Sequence, residues 1–149
     1  FEYALKEVML DLAKQIVRDG EGAQKLISVK VTGAVSPKSA RRIGLSMANS
    51  PLVKTAIAGE DANWGRVVMA VGKSGEKADR DQMSVTFGGI KIAKGGQVVD
   101  NYDEKPVTEH MQGRQVNLKV DVGVGRSSAT VWTCDLTHGY ISINADYRS

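Results

Sequence analysis

Cysteine, long apolar runs and an excess of either charge are scarce or missing in this sequence. The single cysteine, Cys134, excludes an internal disulfide and fits a reducing compartment. No window approaches the number of consecutive apolar residues that spans a bilayer, and the first residues carry no signal-peptide pattern. These absences argue against a disulfide-rich secreted protein and predict a cytoplasmic chain with no membrane partner.

The net charge is also small, at +3 from 20 Lys and Arg against 17 Asp and Glu, and the basic residues are scattered. A nucleic-acid surface needs basic residues concentrated on one face, so we predict no nucleic-acid partner. His138 has no cysteine, histidine or acidic cluster at ligand spacing, which predicts no metal site. What remains is the composition of an ordinary globular protein, 42% hydrophobic and 25% charged.

An initial methionine is missing too, and Phe1 already lies in a helical pattern, as expected of a fragment or a processed product. Apolar residues recur at three- and four-residue spacing and predict a helix that ends near Arg18, with Gly20 as the stop. Strict alternation over residues 26–33 then predicts a half-buried strand. Asp135 is expected to have no more than a capping or turn role.

Two Ser-Pro pairs at residues 36–37 and 50–51 predict the starts of two further helices. From about residue 84 the pattern changes to short alternating segments, with glycine pairs at 88–89 and 95–96 that predict turns between strands. A strand over 116–122 and a return strand over 129–134 follow. The apolar side chains of the last ten residues should anchor the C-terminus: Tyr140, Ile141, Ile143 and Tyr147.

The most distinctive stretch is Asp-Ala-Asn-Trp-Gly-Arg at residues 61–66. From the residues alone it predicts the start of a buried helix, with Trp64 as a core anchor and Arg66 paired to a carboxylate. Gly65 lies inside this helix, where glycine costs roughly 0.5–1 kcal/mol against alanine. Its presence therefore suggests that a backbone or a ligand approaches closely.

This string resembles the signature of the ornithine acetyltransferase family, also called bifunctional glutamate N-acetyltransferase. Residues 21–25, 49–56 and 132–149 resemble the family in the same order, and four ordered motifs are more specific than one. The resemblance implies the C-terminal part of the family's β chain and an α+β fold. Residues 1–35 would complete an Ntn-hydrolase-like α/β sandwich, and residues 36–149 would form a smaller α+β domain of mostly antiparallel strands.

The resemblance also implies an activity in arginine biosynthesis, in which acetyl passes from N-acetylornithine to glutamate through an acetyl-threonine intermediate. The family precursor cuts itself before that threonine, whose own amine then activates the hydroxyl. The implied partner is the α chain of the same precursor, in a heterotetramer of two α and two β chains. No cofactor is implied, although some members accept acetyl-CoA as a donor substrate.

Three residues match positions where the family contacts substrate: Glu21, Asn144 and Ser149. On sequence alone, Glu21 between two glycines is an ordinary solvated charge, and only the resemblance assigns it to a substrate ammonium. Asn144 and Ser149 would bind the polar amino-acid end, because an amide both donates and accepts and a hydroxyl rotates. We expect no catalytic residue in this chain, since every threonine in it is internal.

Two alternatives stay open. The chain fits a non-catalytic α+β interaction domain in which Trp64 and the C-terminal tail belong to the core. It also fits, less well, part of a related threonine-nucleophile aminopeptidase, in which we expect no such tail.

Because the nucleophile is expected outside these residues, the purified 149-residue chain should form no N-acetylglutamate from N-acetylornithine and glutamate. An assay of product formation checks this expectation, with the full-length protein as the positive control. Turnover by the isolated chain would place the reacting group among the residues printed above.

Overall fold

The structure is a computed structural model that describes residues 1–146. Helices dominate the first half of the chain and strands the second. In chain order the elements are α1 (Glu2–Arg18), β1 (Leu26–Ala34), α2 (Pro37–Ala48), α3 (Pro51–Ala58), α4 (Trp64–Lys73), β2 (Ser84–Phe87), β3 (Ile90–Lys94), β4 (Gln97–Val98), α5 (Glu104–Met111), β5 (Gln115–Asp121), β6 (Ser127–Cys134) and α6 (His138–Asp146).

The six strands form one mixed sheet in the order β4-β3-β2-β5-β1-β6. Only β1 and β5 run parallel, and the other four pairings are antiparallel. The predicted α+β class with mostly antiparallel strands is therefore confirmed. The return strand β6 does not pair with β5, because β1 lies between them.

The central position of β1 follows from its alternating sequence. Ile27, Val29 and Val31 point to one face and are buried, whereas Lys30 between them is exposed. On the buried face lies α2, where Gly44 would carry a Cβ only 3.1 Å from Val131 of β6. Close helix–sheet packing at this point therefore depends on the absence of a side chain.

The position of β1 also bears on the domain organisation. This strand lies before the boundary predicted between residues 35 and 36, yet it pairs with β5 and β6, which lie after it. The described strands thus share one sheet across that boundary. The division into 1–35 and 36–149 stays a prediction.

Both glycine pairs turn the chain as predicted. Gly88 and Gly89 have φ angles of 58° and 83°, and the strands β2 and β3 pair directly across them. Gly95 and Gly96, at 61° and 75°, connect β3 to β4. Side chains strain such positive angles, which explains why glycine occupies both turns.

The two ends of the described chain contribute little to the core. Helix α1 lies where the spacing predicted a helix, and none of its residues is buried. Tyr140, Ile141 and Ile143 of α6 are 44%, 61% and 48% exposed, so the expected anchoring by these three is wrong. Tyr147, the fourth residue of that prediction, lies outside the described residues.

The signature stretch forms the start of α4. The Asn63 side chain caps the helix by accepting from the N–H of Arg66 at 3.1 Å, and Trp64 is partly buried against the core. Arg66 donates to the Leu52 carbonyl at 2.9 Å rather than to a carboxylate, so that predicted ion pair is wrong within the described residues. No backbone of the described residues approaches Gly65 closely, since a Cβ there would meet only the Asn63 side chain, at 3.5 Å, and the approach of a ligand stays a prediction.

Two glycines give a matched test of how closely the turn between β5 and β6 packs on the end of β1. A methyl group on Gly125 would overlap the backbone carbonyl of Ala34, whereas one on Gly72 in α4 meets nothing within 4 Å. We expect Gly125→Ala to lower the free energy of unfolding by about 1–3 kcal/mol. Gly72→Ala should raise it by up to about 1 kcal/mol through helix propensity. Urea denaturation of the chain measures both, and equal effects would contradict the packing described.

Candidate active site

Two loops that are distant in sequence meet at one end of the sheet. The first precedes β1 and carries Glu21, and the second follows β6 and leads into α6. They meet because Leu26 pairs with Cys134, so the residues just before β1 lie beside those just after β6. A backbone hydrogen bond of 3.2 Å from the Asp135 N–H to the Lys25 carbonyl continues this pairing.

This arrangement brings together two of the three predicted substrate-binding residues. The Asn144 side-chain amide donates to Glu21 Oε2 at 3.0 Å and to the Tyr140 carbonyl at 2.8 Å. Both donors of the amide are then used, and its carbonyl oxygen remains available as an acceptor. Glu21 and Asn144 lie 123 positions apart, so only the fold brings them into contact.

Glu21 lies at the edge of an open cavity of about 430 Å³. Its lining combines carboxylate, ammonium and phenol groups with apolar surface: Gly20, Glu21, Lys54, Cys134, Asp135, Leu136 and Tyr140. A neighbouring cavity of about 420 Å³ shares Leu136 and extends along the start of α6 to Gln24 and Thr55. The volumes fit a small, polar amino-acid derivative.

Asp135 is a site residue whose importance the sequence did not reveal. It is only 3% exposed, and its Oδ1 accepts from the N–H groups of Gln24 and Lys25 at 2.8 and 2.9 Å. A buried carboxylate that accepts two backbone N–H groups holds the loop firmly, since such charge-assisted bonds are strong. The sequence predicted a turn or capping role for Asp135, and the observed role is of that kind. No pattern in the sequence indicated that the side chain is buried or that its partner is the opposite loop.

Lys25 is the second buried charged residue where the two loops meet, and it is 7% exposed. Its ammonium donates to the Met111 carbonyl and lies 4.0 Å from the Glu60 carboxylate. Burial, and then the charge of Lys25, lower the pKa of His110 below its ordinary value. His110 Nε2 accepts from the Asn117 N–H at 2.9 Å, which requires this nitrogen to carry no proton, and the lowered pKa agrees with that.

The remaining predicted site residue, Ser149, lies outside the described residues. Within residues 1–146 no group of three or more His, Cys, Asp or Glu side chains is arranged to hold a metal ion. In the same part of the chain, every helix is too short or too polar to cross a membrane. His138 begins α6 and is exposed, and Cys134 is half-buried with a free thiol.

Comparison with known proteins gives one consistent result. The family model described as "ArgJ family" matches residues 1–149. The chain is 66% identical over 146 residues to the arginine biosynthesis bifunctional protein ArgJ of Zymomonas mobilis, and 65% identical over 149 residues to that of Gluconobacter oxydans. These alignments cover 98% and 100% of this chain, but it spans only about a third of either relative, 36% and 35%.

A solved structure agrees. The crystal structure of the arginine biosynthesis bifunctional protein ArgJ from Bacillus halodurans matches with a TM-score of 0.92 and 40% identity. The match covers 97% of this chain and 68% of that one. This agreement bears out the predicted Ntn-hydrolase-like α+β class. Because the family model matches all 149 residues of this chain, the chain belongs to the ArgJ family.

Proposed function

We propose that these residues form the substrate-binding wall of an acetyltransferase of arginine biosynthesis. The complete enzyme would move acetyl from N-acetylornithine to glutamate through an acetyl-threonine intermediate, which makes it a glutamate N-acetyltransferase. Family membership supports this proposal, and so do the names of the relatives, which are bifunctional proteins of arginine biosynthesis. Acetyl-CoA is proposed only as a second donor, and the compartment as the cytoplasm.

The observation that carries the proposal is the hydrogen bond between Asn144 and Glu21 at the edge of the 430 Å³ cavity. The family resemblance selected these two residues independently of any structure. Two polar residues from opposite ends of the chain, both chosen for substrate contact, meet beside one cavity. An arrangement of this kind is typical of a binding site assembled by the fold.

The chemistry of the pair suits an amino-acid substrate. Glu21 Oε2 is held by Asn144, and Oε1 has no partner among the described residues, so the carboxylate can accept from an ammonium group. The Asn144 carbonyl oxygen offers a second acceptor beside it. In this proposal, Ser149 would add a hydroxyl from the C-terminus.

The groups that react would come from polypeptide beyond this chain. The nucleophilic threonine, with its free α-amine, would follow self-cleavage of the precursor, and the oxyanion-hole donors would lie in the α chain. The exposed apolar stripe on α1 supports such partners, because a contiguous apolar surface on a protein usually marks an interface with another chain. The stripe comprises Leu5, Val8, Met9, Leu12 and Ile16. The proposed assembly is a heterotetramer of two α and two β chains.

An interaction domain without catalysis would also explain the exposed face of α1. It gives no reason for a polar pair at a cavity edge, and an aminopeptidase of related mechanism gives no reason for the tail that carries Asn144. Kinetics of variants at the pair therefore distinguish these readings.

We expect Glu21→Gln in the complete enzyme to lower kcat/KM for N-acetylornithine by about 10- to 100-fold. The variant keeps the size of the side chain but removes its charge, and hydrogen bonds to charged groups contribute roughly 1.5–3 kcal/mol. Steady-state kinetics measure the effect. Glu109→Gln, at an exposed acid on α5 with no ion pair among the described residues, is the control and should change nothing. An unchanged kcat/KM in Glu21→Gln would remove Glu21 from the site.

Asn144→Ala should raise KM by roughly 3- to 10-fold, the size of one or two neutral hydrogen bonds. Asn144→Asp should raise it further, because a second carboxylate would then lie about 3 Å from Glu21 and repel it. The KM values of both variants test the direction as well as the size of the predicted change. Equal KM values in all three proteins would favour a structural domain.

A further inference from the structure

One hydroxyl group links the two elements that carry Glu21 and Asn144. Thr137 Oγ1 donates to the carbonyl oxygen of Gly22, and it accepts from the N–H of Gly139 at 3.1 Å. The first bond holds the loop that carries Glu21. The second caps the N-terminus of α6, the helix that carries Asn144. A hydroxyl has one donor and two acceptor sites, so a single side chain serves both elements.

Two glycines allow this contact to be close. Gly22 has a φ of 68°, and a Cβ there would overlap the backbone of Gly139 and Tyr140. A Cβ on Gly139 would lie 3.2 Å from the Gly22 Cα. Loop and helix therefore touch backbone to backbone, with the Thr137 hydroxyl at the point of contact.

The bond between Glu21 and Asn144 needs such support. Both side chains are exposed, and water competes for an exposed side-chain hydrogen bond, while ordering the two side chains costs entropy. Thr137 is partly buried and bonds to backbone atoms of the Gly22 turn and of the first turn of α6, so only its own side chain has to be ordered to make these contacts. The contact between Thr137 and Gly22 is therefore the more rigid one, and it can set the geometry of the contact between Glu21 and Asn144.

We propose that Thr137 is a positioning residue for substrate binding, which acts through Glu21 by holding the Gly22 loop against the first turn of α6. This inference rests on the proposed function, because it assigns Thr137 a role in the site of that reaction. Without the hydroxyl, the loop would have to be ordered when substrate binds, and the cost would appear in KM rather than in the chemical step.

Kinetics of the complete enzyme test the proposal. Thr137→Val keeps the shape but loses the hydroxyl, and we expect KM for N-acetylornithine to rise about three- to tenfold with kcat within about twofold. Thr137→Ser restores the hydroxyl and should return KM to within about twofold of the parent. Ser36→Ala removes a comparable cap from α2, where Ser36 accepts from the Ser39 N–H at 3.0 Å, and should leave KM unchanged.

A purely structural cap would behave differently: both cap variants would then lose thermal stability without a change in KM. Should Thr137→Val yield no assembled enzyme, Thr137→Gly replaces it, since glycine is tolerated at N-caps but offers no hydroxyl. A parent-like KM in whichever variant assembles overturns the proposal, and so does failure of Thr137→Ser to restore KM.

The double variant with Glu21→Gln separates this inference from the function on which it rests. If Thr137 acts through Glu21, Thr137→Val should add little to the effect of Glu21→Gln, whereas independent effects would multiply and overturn the inference. If Glu21→Gln reduces kcat/KM but Thr137→Val changes nothing, only the inference fails. If Glu21→Gln itself changes nothing, the proposed substrate site fails and the inference with it.

Discussion

The antiparallel pairing of β1 with β6 is the constraint on which the rest of this structure depends. It brings the loop before β1 and the loop after β6 to the same end of the sheet, with Leu26 opposite Cys134. The bond between Asn144 and Glu21 and the bond between Thr137 and Gly22 both connect the loop before β1 to the segment that follows β6. Because β1 also pairs with β5 on its other side, it cannot shift register without disturbing both neighbours.

Buried charge at the junction of the two loops adds specificity to this pairing. Asp135 holds the backbone of residues 24 and 25, and Lys25 reaches across to α5 through the Met111 carbonyl. Burying a charge is costly unless it is well hydrogen-bonded, so these contacts favour one arrangement of the loops over others. Asp135 Oδ2 is buried and has no partner among the described residues, which makes Oδ1 the atom that holds the loop.

The junction of the two loops also gives a physical explanation for two of the family motifs. The Glu-Gly-x-x-Lys segment and the segment from Trp132 onward appear as separate motifs in the sequence, yet in the structure they form one contact surface. A side chain at Gly22 would overlap the backbone of α6, which explains the glycine. The Lys25 ammonium is buried and donates to the Met111 carbonyl, which explains the lysine. Two residues of that motif thus have structural reasons beyond substrate contact.

Local patterns determined the helix starts, the two glycine turns and the alternation of β1, because these depend on neighbours within a few residues. The α+β class followed from the family resemblance. Motif likeness added Glu21 and Asn144, which no local pattern would have chosen. Only the tertiary structure decided that β1 separates β5 from β6, that Asp135 is buried against the opposite loop, and that Thr137 links Gly22 to α6. Those features depend on contacts between residues roughly 90 to 115 positions apart, for which a single sequence carries no periodic signal.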